Sequence, residues 1–305
     1  MVEMDRIDDA LAEFSLYLQT ELEDGATLQS YSASIILVGG LLQKKSLEAA
    51  FQIYTQGLRY NFEMNPVNLF EFGDITFAML RASRSHHRLG YLIKTFKDLV
   101  DEFMEQNLQS NALDNLLFRI RLAYQSMDQS EVAIQYIRRI YEILIHNYPE
   151  HYAVNACACH LVRLYCFDVK RPYEYLAYLL KVSPPALDKL ENTDGAYLMI
   201  SNISSVLEEL IKGPLGIPTL RKKIKKLKKN PSCSATELIQ LIFRLKRTST
   251  VLLTSSELFK RYHHKIHSSL RVSQVKDLIN TFSLYAGELD KLTVMLNSIL
   301  SLKKA

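Results

Sequence analysis

Helical hairpins recur along the first part of this chain at a spacing of about 42 residues. A fixed period of roughly 20–50 residues is typical of stacked-repeat folds, in which each unit buries its apolar face against the next. The spacing predicts a stack of antiparallel hairpins over residues 28–183, with short polar turns inside each pair. The second helices are predicted to begin at steps of 41, 43 and 41 residues, at Ser46, His87, Ser130 and Arg171.

Composition indicates an all-α globular chain. Of the 305 residues, 48% are hydrophobic and 23% are charged, as in folded proteins and unlike disordered ones. Glycine and proline number only ten and eight, and both cluster at predicted breaks. The alternating pattern of β-strands is nearly absent. The length allows two ordinary domains or one elongated solenoid.

Targeting features predict a chain in a reducing compartment, nuclear or cytoplasmic. The first nine residues are acidic and lack the basic and apolar regions of a secretory signal. The longest uncharged apolar stretch, residues 33–42, has about half of the ~20 residues that span a membrane. Four cysteines are too few for a disulfide framework. We therefore expect no secretion and no membrane span.

Charge divides the chain into an acidic part and a basic part. Residues 1–150 contain 13 Lys and Arg against 21 Asp and Glu, whereas residues 151–305 contain 24 against 12. An asymmetry of this kind indicates different partners for the two parts, or an electrostatic contact between them.

The strongest predicted domain boundary is the segment 213–218, Gly-Pro-Leu-Gly-Ile-Pro. Two prolines and two glycines within six residues end helical structure. We predict an acidic helical-repeat domain over residues 1–212, this linker, and a basic C-terminal helical bundle over residues 219–305. Two capping-box sequences, 234–237 and 254–257, predict that a helix begins at each of these places in the bundle.

Several hairpin positions have the spacing of packing residues in tetratricopeptide repeats. They are Leu37, Leu41, Leu47, Ala50, Tyr54 and Leu58 in the first hairpin, and Ile120, Tyr124, Ala133 and Ile137 in the third. The region resembles a tetratricopeptide-like repeat, although its period is longer than the ~34 residues of that family and is closer to HEAT repeats. The resemblance implies a right-handed solenoid that acts as a protein–protein adaptor. Some related families bind RNA.

The most concentrated functional signal is a run of seven basic residues in nine, 221–229. Leu220, Ile224 and Leu227 follow an i, i+4, i+7 spacing, so the run predicts a helix with a narrow apolar stripe and a wide cationic face. Later cations keep the region basic. The candidate nucleic-acid or nuclear-import residues are Arg221, Lys222, Lys223, Lys225, Lys226, Lys228, Lys229, Arg244, Lys246, Arg247, Lys260, Arg261 and Lys265.

Three functions fit this cationic face. It can contact nucleic-acid phosphates, bind an import receptor, or lie on an anionic membrane surface. A fourth interpretation is structural: a solvated helix that complements the acidic part of the chain. The run contains no aromatic residue, which disfavours base stacking there, although Phe259 and Tyr262 lie among the later cations.

No sequence pattern predicts a catalytic, cofactor or metal site. Cys157 and Cys159 are two residues apart, so on a helix their thiols point in nearly opposite directions. His263 and His267 share a helix face but lack the intervening glutamate of HExxH sites, and their surroundings are cationic. Phosphate-binding glycine motifs and the GxSxG nucleophile motif are absent from the sequence. We expect that the protein is not an enzyme and that it binds no cofactor and no small-molecule substrate.

Two functions agree with these features. The first is a non-catalytic scaffold subunit of a multiprotein complex, which presents a mostly acidic repeat surface to partner proteins. The second is a nucleic-acid-associated factor in transcription, chromatin or DNA repair, or RNA processing, which uses the basic segment 221–229 and its neighbouring helices to contact phosphates.

Overall fold

The computed structural model describes residues 28–63, 69–105, 112–190, 194–212, 216–229 and 234–304, together with five separate positions before residue 28. Nearly all of these residues lie in helices and none lies in a β-strand, so the predicted all-α class is confirmed. The chain forms two compact units, residues 1–133 and residues 134–305.

The first unit contains five helices within its described ranges and the start of a sixth. From α1 to α5, each helix packs against the next one along the chain, and α1 also packs against α3, as α3 does against α5. The helices are α1 (Leu28–Leu42), α2 (Leu47–Glu63), α3 (Leu69–Ser85), α4 (Leu89–Glu105), α5 (Ala112–Gln125) and α6 (Ser130–Asn147).

The second unit continues from α6 and ends in a long helical hairpin. A short π-helix, Leu164–Asp168, follows α7, and a single 3-10 turn, His263–Lys265, joins the last two helices. The remaining helices are α7 (Tyr152–Arg163), α8 (Pro172–Lys189), α9 (Asp194–Lys212), α10 (Ile217–Lys229), α11 (Ala235–Tyr262) and α12 (Ser269–Lys304).

The division into compact units differs from the division predicted at 213–218. The boundary between the units lies within α6, between Ala133 and Ile134. Residues 213–215 of the predicted linker lie outside the described residues, and the helix after it, α10, packs against α12 inside the second unit. The division into a repeat domain over residues 1–212 and a basic helical region over residues 219–305 stays a prediction.

The predicted hairpin period agrees with the helix boundaries. The second helices of the four pairs begin at Leu47, Leu89, Ser130 and Pro172, each within two residues of its predicted start. The turns before three of them share one backbone motif, with a left-handed residue at His87, Asp128 and Lys170 (φ 55°, 56° and 56°). After each of these residues, the next N–H donates back to a carbonyl near the end of the preceding helix. This Schellman-type turn reverses the chain.

Polar contacts between successive hairpins of the first unit repeat at nearly the same spacing. Ser32 Oγ donates to the buried Glu71 carboxylate at 2.7 Å, and Thr76 Oγ1 donates to Asn115 Oδ1 at the same distance, in each case across 39 residues. Arg59 Nη2 donates to Glu102 Oε2 at 2.8 Å, across 43 residues. These bonds link equivalent helices of neighbouring hairpins.

Most, but not all, of the positions with the spacing of tetratricopeptide packing residues are buried. Leu47, Ala50, Tyr54 and Leu58, together with the four positions of the third hairpin, are buried. Leu37 and Leu41 are 66% and 58% exposed, so their assignment to packing positions is wrong. In α1 they lie opposite Ile35, which is fully buried, and the helix turns them toward solvent.

The predicted helix start at 254–257 is also wrong. Helix α11 runs without a break from Ala235 to Tyr262, and Thr254 Oγ1 donates to the carbonyl of Thr250 one turn earlier. A threonine inside a helix commonly satisfies its hydroxyl in this way, so a capping-box sequence does not by itself begin a helix. The cap at Ser234 is confirmed, because its side chain accepts from the Glu237 N–H.

Candidate functional site

The basic run 221–229 lies on α10, which presents its lysines to solvent. Leu220 and Ile224 are 1% and 2% exposed and Leu227 is half-buried, as the apolar stripe predicted. Lys229 ends the helix, and its side chain lies outside the described part. The exposed cations are Arg221, Lys222, Lys223, Lys225, Lys226 and Lys228.

Helix α10 is held against α12 by a small polar network. The backbone N–H of Ile217 donates to the Tyr285 hydroxyl at 2.9 Å, and that hydroxyl donates to the carbonyl of Ile211. Arg221 Nη2 donates to the Glu288 carboxylate at 2.6 Å. Arg221 therefore has a structural role, whereas none of the five exposed lysines of α10 forms an ion pair with a described residue.

Two of the three cations near the end of α11 connect this part of the chain to α8, and the third pairs within α11. Arg261 lies 3.6 Å from the Asp188 carboxylate, and Lys260 pairs with Glu257 on its own helix. Lys265 Nζ donates to the carbonyls of Leu187, Asp188 and Leu190 at 2.8–2.9 Å, which satisfies the C-terminal end of α8. Its ammonium group is thus engaged within the fold, which reduces its capacity to contact phosphates.

The remaining predicted cations lie about four turns earlier on α11. At 1.5 Å per residue, Arg244 is about 24 Å from Lys260 along the helix axis. Arg244 and Arg247 face a cavity between α8, α9 and α11, whereas Lys246 lies on another side of the same helix and is exposed. The structure therefore separates the α11 candidates into two groups.

An apolar surface on the first helices of the hairpins was not found by sequence reasoning. We define the first-helix face as the exposed side chains of Leu37 and Leu41 on α1 and of Phe70 and Phe77 on α3, which are 51–77% exposed. The two helices pack against each other. The sequence signal was present, because α1 contains no charged residue and the two phenylalanines are seven positions apart.

Arg119 of α5 extends this face toward the third hairpin. Its guanidinium lies over the rings of Phe77 and Phe118, at 5.3 and 5.2 Å from their centroids, and donates to the carbonyl of Gly73. Partial burial lowers the pKa of Arg119, but an arginine remains charged at neutral pH. A guanidinium placed over aromatic rings is a feature that a partner can contact.

The second helices of the same unit expose charge instead. On α4 the exposed side chains include Lys94, Asp98, Asp101 and Glu105, and the buried side carries Leu92, Phe96 and Phe103. Of the exposed large apolar side chains in the described hairpins of this unit, only Tyr91 and Val132 lie on second helices. The exposed charges of α4 are mainly acidic, whereas those of the first helix α3 include both Asp74 and Arg81. The exposed acidic residues of the repeats therefore lie mainly on the second helices.

Cysteine and histidine side chains do not converge in the described ranges. Cys157 is buried and Cys159 is exposed, in agreement with their opposite directions on α7. No group of three or more His, Cys, Asp or Glu residues is placed to hold a metal ion among the residues that the structure describes. Likewise, none of the described helices is long and apolar enough to cross a membrane.

Comparison with protein families, with curated proteins and with solved structures finds no match for this chain.

Proposed function

We propose that this chain is a non-catalytic scaffold subunit that binds a partner protein through its first-helix face. The hairpins would form a right-handed, tetratricopeptide-like stack, in which first helices lie side by side. The exposed apolar side chains of Leu37, Leu41, Phe70 and Phe77 carry this proposal. Single exposed apolar side chains are common on protein surfaces. A patch of them on adjoining helices marks a protein-interaction surface.

The occupant is an amphipathic helix or a short apolar segment of the partner. Two neighbouring helices that present Leu and Phe side chains form the kind of surface into which such a segment places residues one turn apart. Aromatic side chains and arginine dominate binding energy at protein interfaces, and Phe77 with its stacked Arg119 supplies both.

The test replaces exposed residues only, so that folding is preserved. Leu37→Glu with Phe77→Glu should weaken recovery of the native partner at least about tenfold, because charges enter an apolar interface. The matched control carries Lys94→Glu and Gln52→Glu, which lie on exposed positions of second helices. A photo-crosslinking residue at position 77, with one at 94 for comparison, identifies the partner directly. Equal loss in both variants, or no loss in either, would refute the proposal.

A second candidate function is nucleic-acid association through α10. It is favoured by five lysines that are exposed and form no ion pair with a described residue, on a helix whose apolar side is already packed. Lysines that contact phosphates release counterions, so the affinity falls as the salt concentration rises. The logarithm of the association constant falls against the logarithm of the salt concentration with a slope of about 0.7–0.9 per phosphate contacted. An alternative is that the same lysines bind a nuclear-import receptor.

Anisotropy with labelled duplex and single-stranded oligonucleotides tests this second function. Lys→Ala at 222, 223, 225 and 226 should weaken binding and reduce the salt slope by about 2–4, since up to four contacts are removed. No binding at low salt would eliminate it. If binding is absent but a fused fluorescent protein loses nuclear accumulation in the variant, the helix acts as an import signal.

A further inference from the structure

A cavity of about 570 Å³ opens in the second unit where α8, α9 and α11 meet. Its volume lies within the roughly 300–1,000 Å³ of small-ligand sites. The π-helix ends at its edge, and insertions of this kind in helices are frequent at functional sites. The lining residues are Cys166, Phe167, Lys170, Pro172, Tyr173, Glu209, Leu210, Gln240, Phe243, Arg244 and Arg247, and we call this site the α8–α11 pocket.

Three cations border the α8–α11 pocket: Lys170, Arg244 and Arg247. None of them forms an ion pair with a described residue. The pocket also contains Pro172 and Tyr173, the first residues of the 18-residue helix α8. The N-terminal end of a helix adds positive potential to that of the side chains. The pocket is therefore suited to an anionic group.

Aromatic rings provide flat apolar surfaces beside these cations. Phe243 and Phe167 border the pocket and are 70% and 56% exposed, so their rings are accessible to a ligand. Tyr173 is held more firmly, since its hydroxyl lies 2.5 Å from the buried Thr248 Oγ1, and the Arg247 guanidinium lies 4.7 Å from its ring centroid. The pocket thus combines surfaces for ring stacking with donors for an anion.

Two further polar side chains define what else a ligand must carry. Glu209 offers a carboxylate, which accepts hydrogen bonds and repels a second anion, and Gln240 offers an amide that both donates and accepts. A ligand that satisfies all of these groups has an anionic end, a flat ring, and N–H donors on that ring.

We propose that the α8–α11 pocket binds a nucleotide unit, with its phosphate at Arg244, Arg247 and Lys170 and its base against Phe243 or Phe167. The amino and imino N–H groups of the base donate hydrogen bonds to the Glu209 carboxylate. An acidic peptide fits less well, because its carboxylates would meet Glu209. The nucleotide can be free in solution or part of a single strand, and the chemistry of recognition is the same.

Binding of nucleoside monophosphates and of single-stranded tetranucleotides to the full chain tests the proposal by calorimetry. Arg244→Ala and Arg247→Ala should each weaken binding about tenfold or more, because each removes a charged donor from the phosphate. Phe243→Ala should weaken it about five- to a hundredfold through lost base stacking. Lys246→Ala is the matched control, since Lys246 lies on the same helix outside the pocket, and it should leave the affinity unchanged.

The two sources of a nucleotide are separated by comparing the ligands. Comparable affinity for the monophosphate and the tetranucleotide indicates a free nucleotide. Tight binding of the strand alone, weakened by the same pocket variants, indicates a nucleotide within a strand.

Cys166 supplies a second readout that does not depend on calorimetry. Burial raises the pKa of its thiol to about 11, and the nearby Glu209 carboxylate acts in the same direction, so alkylation at neutral pH is slow. A bound nucleotide should slow alkylation of Cys166 further and leave the exposed Cys159 unaffected, as measured by mass spectrometry.

Three results would overturn the proposal. The first is that neither ligand binds at millimolar concentration. The second is that Lys246→Ala weakens binding as much as Arg244→Ala, which would indicate non-specific attraction. The third is that an acidic aromatic peptide protects Cys166 from alkylation whereas nucleotides do not. Each result is independent of the first-helix face, which belongs to the other unit of the chain.

Discussion

The first and last hairpins of the described chain are built on different contacts. In the α1–α2 hairpin, two glycines let the helices approach closely: a Cβ at Gly39 would lie 2.3 Å from the Tyr54 ring, and one at Gly57 would lie 2.3 Å from Ile35 Cδ1. The α11–α12 hairpin is much longer, and charged and hydroxyl groups fix it to α8, chiefly Lys265 and Tyr262.

This difference predicts opposite sensitivities. A hairpin packed through glycine has no room for added volume, because helices already in van der Waals contact must separate or distort. A hairpin anchored by ions and hydrogen bonds tolerates added volume on its surface, but it responds to the loss of a charged group and to pH. The next three predictions test this contrast, in order of decreasing effect.

Gly39→Ala should have the largest effect, a loss of about 1–3 kcal/mol in the free energy of unfolding of the first unit. The added methyl meets the ring of Tyr54, which is 1% exposed and enclosed by other core residues. Amide hydrogen exchange of residues 28–63 measures the loss, since it reports the stability of that region separately.

Gly40→Ala is the control for this prediction, because nothing lies within 4 Å of a Cβ at that position. It should stabilise α1 by about 0.5–1 kcal/mol through helix propensity alone. Equal stabilisation by both alanines would show that the close approach of α1 and α2 is absent.

Lys265→Met should have an intermediate effect, a loss of about 1.5 kcal/mol in the free energy of unfolding. This value is at the low end for hydrogen bonds from a charged group, because the Lys265 side chain is half-exposed. Three carbonyls at the end of α8 lose their donor. Faster amide hydrogen exchange of residues 186–190 is the expected signature. Lys260→Met, which breaks only an exposed pair with Glu257, should change stability by about 0.5 kcal/mol or less.

Protonation of Glu288 in acid should have the smallest effect, a loosening of α10. Hydrogen bonds from Lys291 and then from Arg221 hold the pKa of the Glu288 carboxyl below its ordinary value. A depressed pKa in the folded state contributes stability above the unfolded pKa, and this contribution disappears as pH falls through the folded value. We therefore expect α10 to loosen from α12 only in acid, below the ordinary pKa of glutamate.

A pH titration of the Ile217 amide resonance, whose N–H donates to Tyr285, follows this loosening. Glu288→Gln should remove the acid transition, and Glu257→Gln on α11 should leave it in place. An acid transition that persists in Glu288→Gln would assign the pH dependence to another carboxyl.

The two units also differ in what they offer to other molecules. The first exposes leucine and phenylalanine on α1 and α3, whereas the second exposes lysines on α10 and arginines beside aromatic rings at the α8–α11 pocket. The lysines and arginines of the second unit agree with the excess of positive charge predicted for the second part of the sequence. The apolar patch was not predicted, because a charge count does not register neutral side chains.

The sequence by itself determined the helical class, the hairpin period and the starts of the second helices. These features depend on local signals: the spacing of apolar residues, short polar turns, and a helix start such as the cap at Ser234. The cationic face of α10 was predictable for the same reason, since an apolar stripe of one residue per turn leaves the other sides of a helix exposed.

Only the tertiary structure decided which apolar and charged residues remain available. Leu37 has the same helical periodicity as buried residues but faces solvent, and Lys265 belongs to a basic segment but caps α8. Arg247 and Thr248 contact Tyr173 across about 75 residues of sequence, and no local sequence pattern predicts these contacts. Burial and distant contacts arise from how helices pack, and packing depends on the whole chain.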